Sequence, residues 1–191
     1  AIGEAKKAIQ QDPKRIDSYI QLANLYIQKK DLAQAKEAFK QAVQVDPQSV
    51  RARYSLADFY QRTGKRDLAE AQLLEVAKIA PKEVNSWITL GNYYASVKRM
   101  EDAEKQFQKA IEVDPKRISS ILHLGDFYLA QGKTDKAIEA YQKAGSVDSK
   151  NTLPRIKIAE VYLAQNHFDK AAPVIEEILK INPKSQEGNL L

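Results

Sequence analysis

The sequence predicts an all-α fold, assembled as a solenoid of short helix pairs. Three observations lead there. One pattern returns every 34 residues, the apolar residues inside each copy fall three and four apart, and the composition favours helix. Spacings of three and four trace one face of a helix. Alanine, leucine, lysine, glutamate and glutamine dominate, and these side chains lose little rotamer freedom in helical backbone.

Residues 1–15 read as the second helix of a truncated repeat, with Ala1, Ala5, Ala8 and Pro13 in the phases of Ala103, Phe107, Ala110 and Pro115. Full repeats then occupy 16–49, 50–83, 84–117, 118–151 and 152–185, and residues 186–191 read as the start of another truncated repeat or a cap. The eleventh position of each repeat is Tyr26, Tyr60, Tyr94, Tyr128 and Tyr162; the twentieth is Ala35, Ala69, Ala103, Ala137 and Ala171. Small residues fill the eighth position (Ala23, Ala57, Gly91, Gly125, Ala159), letting two helix backbones approach closely. A proline closes most copies: Pro13, Pro47, Pro81, Pro115 and Pro183, with Ser149 as the exception.

Each repeat divides into two helices. In 84–117, Trp87, Leu90, Gly91 and Tyr94 mark the first helix, and Ala103, Phe107 and Ala110 the second. Gly64, Gly132 and Asn166 sit where a left-handed residue would end the first helix, and Lys30 and Lys98 hold that place at a modest steric cost. Asp67, Glu101, Asp135 and Asp169 are expected to cap the second helices or complement their dipoles, with Asp67 and Glu70 at capping-box spacing. At the joint between the fourth and fifth repeats, Gly145 lies inside an expected helix and Ser149 replaces the proline. This joint reads as a repaired boundary or, alternatively, a softer hinge. Pro154 and Pro173 are both expected in first helical turns, where a missing N–H is tolerated.

The series aromatic, Leu, Gly, Tyr, Ala, Phe, Ala, Pro at this period resembles the tetratricopeptide repeat family over essentially the whole chain. The resemblance implies antiparallel helix pairs wound into a right-handed superhelix with a concave and a convex face. Arg53 and Arg155 in place of the aromatic, and Val76 and Ile178 in place of the later alanine, depart from the family pattern. The resemblance also implies a protein–protein interaction scaffold rather than an enzyme, with a peptide or partner protein held in the concave groove.

Composition supports that direction. Zero cysteines remove thiol catalysis, disulfides and cysteine-based zinc sites. The two histidines, His123 and His167, have no partner at triad or metal-ligand spacing, and no nucleotide-binding, esterase or metalloprotease motif occurs. No catalytic, cofactor or metal residue is expected. No apolar run approaches the ~20 residues needed to cross a bilayer, so no membrane insertion is expected. The reading is of a soluble chain in the cytoplasm or periplasm, drawn from a longer bacterial multi-repeat protein. A net charge of +5 raises nucleic-acid binding as a weaker reading, but Lys36, Lys40, Lys105, Lys109 and Lys143 are interspersed with acids on second helices. Self-association through the groove or open repeat ends is a further alternative.

In the family the concave wall comes mainly from the second, fifth, ninth, twelfth and thirteenth positions of the first helix. Carried onto this chain, the groove candidates are Asn24, Arg51, Tyr54, Asp58, Arg62, Asn85, Ile88, Asn92, Leu122, Asp126, Ile156 and Glu160. The fifth position supplies an apolar ladder (Ile20, Tyr54, Ile88, Leu122, Ile156) and the ninth a polar one (Asn24, Asp58, Asn92, Asp126, Glu160). Arg51 and Arg62 suggest an end that attracts an acidic or polar partner segment. Leucines and isoleucines of the fourth and fifth repeats suggest an apolar one.

Overall fold

The structure is a computed structural model in which residues 1–183 are described. The segment 186–191, expected to begin a further repeat, lies outside them. Among the described residues there are eleven α-helices. They are α1 (Ile2–Gln11), α2 (Ile16–Gln28), α3 (Leu32–Val45), α4 (Val50–Arg62), α5 (Arg66–Ile79) and α6 (Val84–Ser96). The remainder are α7 (Met100–Val113), α8 (Ile118–Ala130), α9 (Thr134–Val147), α10 (Leu153–Ala164) and α11 (Phe168–Ile181). The chain divides into two compact units, Ala1–Tyr93 and Tyr94–Leu191, with the boundary inside α6.

In the first unit α2 pairs with α3 and α4 with α5, while α1 packs on α2 and α3 on α4. In the second, α8 pairs with α9 and α10 with α11, while α7 packs on α8 and α9 on α10. Paired helices run antiparallel because each turn is only three residues long and reverses the chain through a left-handed residue. That residue is Lys30, Gly64, Lys98, Gly132 or Asn166, with φ between 60° and 72°. The eleventh-position tyrosine closes each turn with its backbone: the carbonyls of Tyr26, Tyr60, Tyr94, Tyr128 and Tyr162 accept from Asp31, Lys65, Arg99, Lys133 and His167 at 2.8–3.0 Å. A second terminal carbonyl, of Ile27, Gln61, Ala95, Leu129 or Leu163, accepts from the left-handed residue itself at 2.8–3.1 Å.

The second helices start differently from expectation. Only Asp31 caps with its side chain, accepting from the Gln34 N–H at 3.1 Å. At α5, α9 and α11 the cap positions are Lys65, Lys133 and His167, and Asp67, Asp135 and Asp169 lie inside the first turn. Glu101 likewise follows the cap residue Arg99 in α7. These acids therefore complement the helix dipole rather than capping, and Asp67 with Glu70 forms no capping box. Pro173 is also displaced: it is the sixth residue of α11, so the Asp169 carbonyl loses its helical partner. Pro154 does sit in the first turn of α10, and α9 runs unbroken through Gly145.

The position expected to be aromatic has a different requirement. Tyr19 Oη donates to the Pro13 carbonyl at 3.0 Å, and Trp87 Nε1 to the Pro81 carbonyl at 2.9 Å. Arg53 Nε donates to the Pro47 carbonyl at 2.9 Å, and Arg155 Nη1 to the Ser149 carbonyl at 3.2 Å. The two arginines are thus substitutes, because a long side chain with a terminal N–H or O–H does the same work. Ile121, with no donor, is instead fully buried.

The core follows the columns. The five alanines at the twentieth position are buried, as are Tyr26, Tyr60, Tyr94 and Tyr128, while Tyr162 is half-buried. Neighbouring repeats meet through aromatic pairs, Phe39 with Phe59 and Phe107 with Phe127, whose centroids lie 5.5 and 5.0 Å apart. Gly125 answers a close approach: a Cβ there would lie 2.7 Å from Tyr141 Cδ1 and nearer still to Cε1.

Candidate functional site

The first helix of each repeat turns one face away from its partner helix, and that face carries the candidates. In the first unit it belongs to α2, α4 and the Val84–Tyr93 part of α6. Asn24, Asp58 and Asn92 stand exposed at equivalent positions. The side-chain amides of Asn24 and Asn92 have no hydrogen-bond partner among the described residues, so each keeps a donor and an acceptor for a ligand. Asn85 is exposed, and its carbonyl lies 3.5 Å from Tyr54 Oη. Tyr54 and Ile88 are half-buried.

A cavity of about 370 Å³ opens between α4 and α6, lined by Tyr54, Ala57, Asp58, Gln61, Leu73, Thr89, Asn92 and Tyr93. It brings together three of the expected residues: Tyr54, Asp58 and Asn92. The basic character expected at the second repeat is balanced locally. Arg51 Nη1 lies 2.7 Å from Asp17 Oδ1, and Arg62 Nε lies 3.2 Å from Asp58 Oδ2. All four side chains are at least half exposed, so each pair forms little more than a loose surface contact.

In the second unit the corresponding face belongs to α8 and α10. Here the apolar ladder fails: Leu122 and Ile156 are both buried, as is Ile20 in the first unit. Ile156 packs with Ala159 and Ile178 in the interior. Apolar surface is supplied about two turns further on. A cavity of about 280 Å³ is lined by Leu129, Thr134, Lys157, Glu160, Val161, Ala164 and Gln165.

Asp126 is held in place from behind. Tyr141, fully buried in α9, donates its hydroxyl to Asp126 Oδ1 at 2.7 Å, and Lys157 Nζ approaches the same oxygen at 3.3 Å. Burial, then the hydrogen bond to Asp126, then the charges of Asp126 and Glu160 push the Tyr141 hydroxyl well above the usual phenol range. At the equivalent position the other repeats carry Phe39, Leu73, Phe107 and Ile175, none with a hydroxyl. Sequence reasoning missed Tyr141 because it occupies a core column. The available signal was a tyrosine where other repeats carry phenylalanine or an aliphatic residue, in a repeat that also has an acid at the ninth position.

His123 Nδ1 is 2.7 Å from the Ser119 carbonyl on its own helix. Among the described residues no three His, Asp or Glu side chains gather as metal ligands, and no helix is long and apolar enough to cross a membrane. The second-helix lysines sit beside acids, with Lys109 2.8 Å from Glu112 and Lys40 4.0 Å from Glu37.

Comparison with known proteins matches the fold. Solved structures that share the fold include the following three. The first, YrrB, described as a protein with an unusual peptide-binding site, is 17% identical; 100% of this chain and 98% of that one align, with a TM-score of 0.57. The pilF protein of Pseudomonas aeruginosa is 19% identical, over 97% of this chain and 85% of that one, with a TM-score of 0.61. Yeast Tom70 is 20% identical, over 99% of this chain and 40% of that one, with a TM-score of 0.65. No curated protein sequence matches the chain. Family models of the tetratricopeptide repeat match residues 27–92 and 128–191, residues 88–149, and residues 4–37. The chain belongs to the tetratricopeptide repeat family.

Proposed function

We propose that the chain is a non-enzymatic scaffold that binds a peptide or an extended segment of a partner protein on its first-helix faces. The observation that carries this reading is the pair of exposed, unpartnered amides of Asn24 and Asn92, the second of them lining the 370 Å³ cavity with Tyr54 and Asp58. An amide fixed to a helix can donate to a backbone carbonyl and accept from a backbone N–H, which suits an extended chain of any sequence. Specificity then falls to the neighbouring side chains: Tyr54, Asp58, Arg62, Asn85 and Ile88 in the first unit, and Asp126 and Glu160 in the second. The peptide-binding description of the YrrB structure agrees with this reading. On this reading the repeats form one array over 1–191 that works inside a longer bacterial multi-repeat protein; the Tom70 match supports only that an array of this kind can occupy 40% of a longer chain.

Selection from a random-peptide display library against the whole chain tests the proposal. Selected peptides should bind, and Asn24→Ala with Asn92→Ala should weaken them at least tenfold with helicity unchanged. Selection of no peptide, or equal affinity for the double variant, would refute it. Self-association is the second reading, favoured by Phe168, which is 63% exposed at the start of α11, and by half-exposed Leu153. Light scattering over a concentration series, compared with Phe168→Ser, decides between a monomeric and a self-associating scaffold. Binding to RNA or DNA that falls steeply with salt would instead point to the second-helix lysines.

A further inference from the structure

We infer that the α8–α10 face of the second unit takes a partner segment in which a lysine or arginine sits next to an aliphatic side chain. The inference rests on the peptide-binding reading above and names the chemistry of the ligand. Its starting point is the 280 Å³ cavity, whose Leu129, Val161 and Ala164 give an apolar floor with room for one branched side chain.

Charge selects what accompanies that side chain. The ionic groups on this face are Asp126, Lys157 and Glu160. Lys157 is already committed to Asp126 Oδ1, the oxygen that also accepts from Tyr141. That leaves Asp126 Oδ2 and the Glu160 carboxylate, which borders the cavity, is exposed, and has no hydrogen bond or ion pair among the described residues. A cation arriving beside an apolar side chain would meet this surplus of negative charge, whereas an anion would be repelled. The first unit offers no such surplus at its cavity, because the one carboxylate lining it, Asp58, is matched by Arg62.

Tyr141 makes the acceptor a fixed one. Its ring is buried, its hydroxyl reaches through the helix pair to Asp126, and Gly125 gives it the space to do so. Tyr141 is therefore a positioning residue: it orients Asp126 so that one oxygen is spent inward and the other faces the ligand.

The test uses the whole chain and the peptides recovered by display. A Lys or Arg should be enriched within two residues of Leu, Ile, Val or Met. For such a peptide, fluorescence anisotropy should show about two- to fivefold weaker binding to Glu160→Gln, the scale of an exposed ion pair. A twin peptide with norleucine in place of the cation should bind wild type and Glu160→Gln alike. Tyr141→Phe should erode the preference for the cationic peptide while leaving the norleucine twin unchanged, an outcome that mere loosening of the fold would not give. Peptides that bind through Asn24 and Asn92 but show no enrichment of cations, or equal losses for both twins, would overturn the inference alone. Recovery of no peptide would overturn both it and the proposed function.

Discussion

Replacing Gly125 by alanine sets two well-defined effects against each other. Alanine is the better helix former, worth ~1 kcal/mol over glycine in a helix interior. Against that, the new methyl would lie 2.7 Å from Tyr141 Cδ1 and 3.0 Å from Cζ. The ring cannot easily swing away, because it is fully buried and its hydroxyl is held by Asp126 at 2.7 Å. Overpacking of this kind costs ~1–3 kcal/mol, and breaking a hydrogen bond to a charged acceptor another ~1.5–3 kcal/mol. Steric and hydrogen-bond losses outweigh propensity, leaving a net destabilisation of ~1.5–5 kcal/mol. Urea unfolding followed by circular dichroism should show a midpoint lower by at least ~0.5 M, given an m-value of ~1–3 kcal/mol/M. The first repeat accommodates Ala23 with Phe39 at the same two positions, so a ring released from its hydroxyl anchor should give way more easily. Introducing Gly125→Ala into a Tyr141→Phe background should therefore cost less than in wild type. A stabilised Gly125→Ala variant, or the same cost in both backgrounds, would refute the reasoning.

Further outcomes follow from the same structure. Lys98→Gly should raise the melting temperature, because Lys98 has φ 64° and a side chain is strained there by ~1 kcal/mol, whereas Gly132→Ala should lower it by a similar free energy. Arg53→Trp should be tolerated within ~0.5 kcal/mol, while Arg53→Leu should cost ~1 kcal/mol by leaving the Pro47 carbonyl without its donor, both read by chemical denaturation. Burial, with the hydrogen bond to Glu104, raises the Tyr128 hydroxyl to about 12 from its usual 10.0. Its contribution to stability is complete below pH ~10 and is lost as the pH rises toward ~12, so alkaline unfolding of Tyr128→Phe should be less steep across that window.

The fold was legible because its requirements are local. A turn that needs φ near +60° announces itself through Gly64, Gly132 and Asn166, and the period then assigned the same role to Lys30 and Lys98. What could not be read were requirements that different side chains meet equally. Arg53 and Arg155 looked like departures from an aromatic column until the proline-segment carbonyls they bond came into view. Helix ends shifted by a residue or two, which moved Asp67 off the cap and Pro173 into the second turn. For the candidate site, a helical face could be named, but not which of its edges is covered. Asn24 and Asn92 stand open, whereas Leu122 and Ile156 are buried, since burial at the fifth position depends on how closely the next helix pair packs. Tyr141 was invisible for a related reason: its ring belongs to the core and only its hydroxyl reaches the face.

If the repeat columns build the helix pairs while the first-helix faces bind, amide chemical-shift mapping with a display-selected peptide should show it. Changes should cluster on Asn24, Tyr54, Asp58 and Asn92 or on Asp126, Leu129 and Glu160. Changes confined to the exposed faces of α3, α5, α7 and α9, around Lys36, Lys40, Lys109 and Lys143, would contradict it.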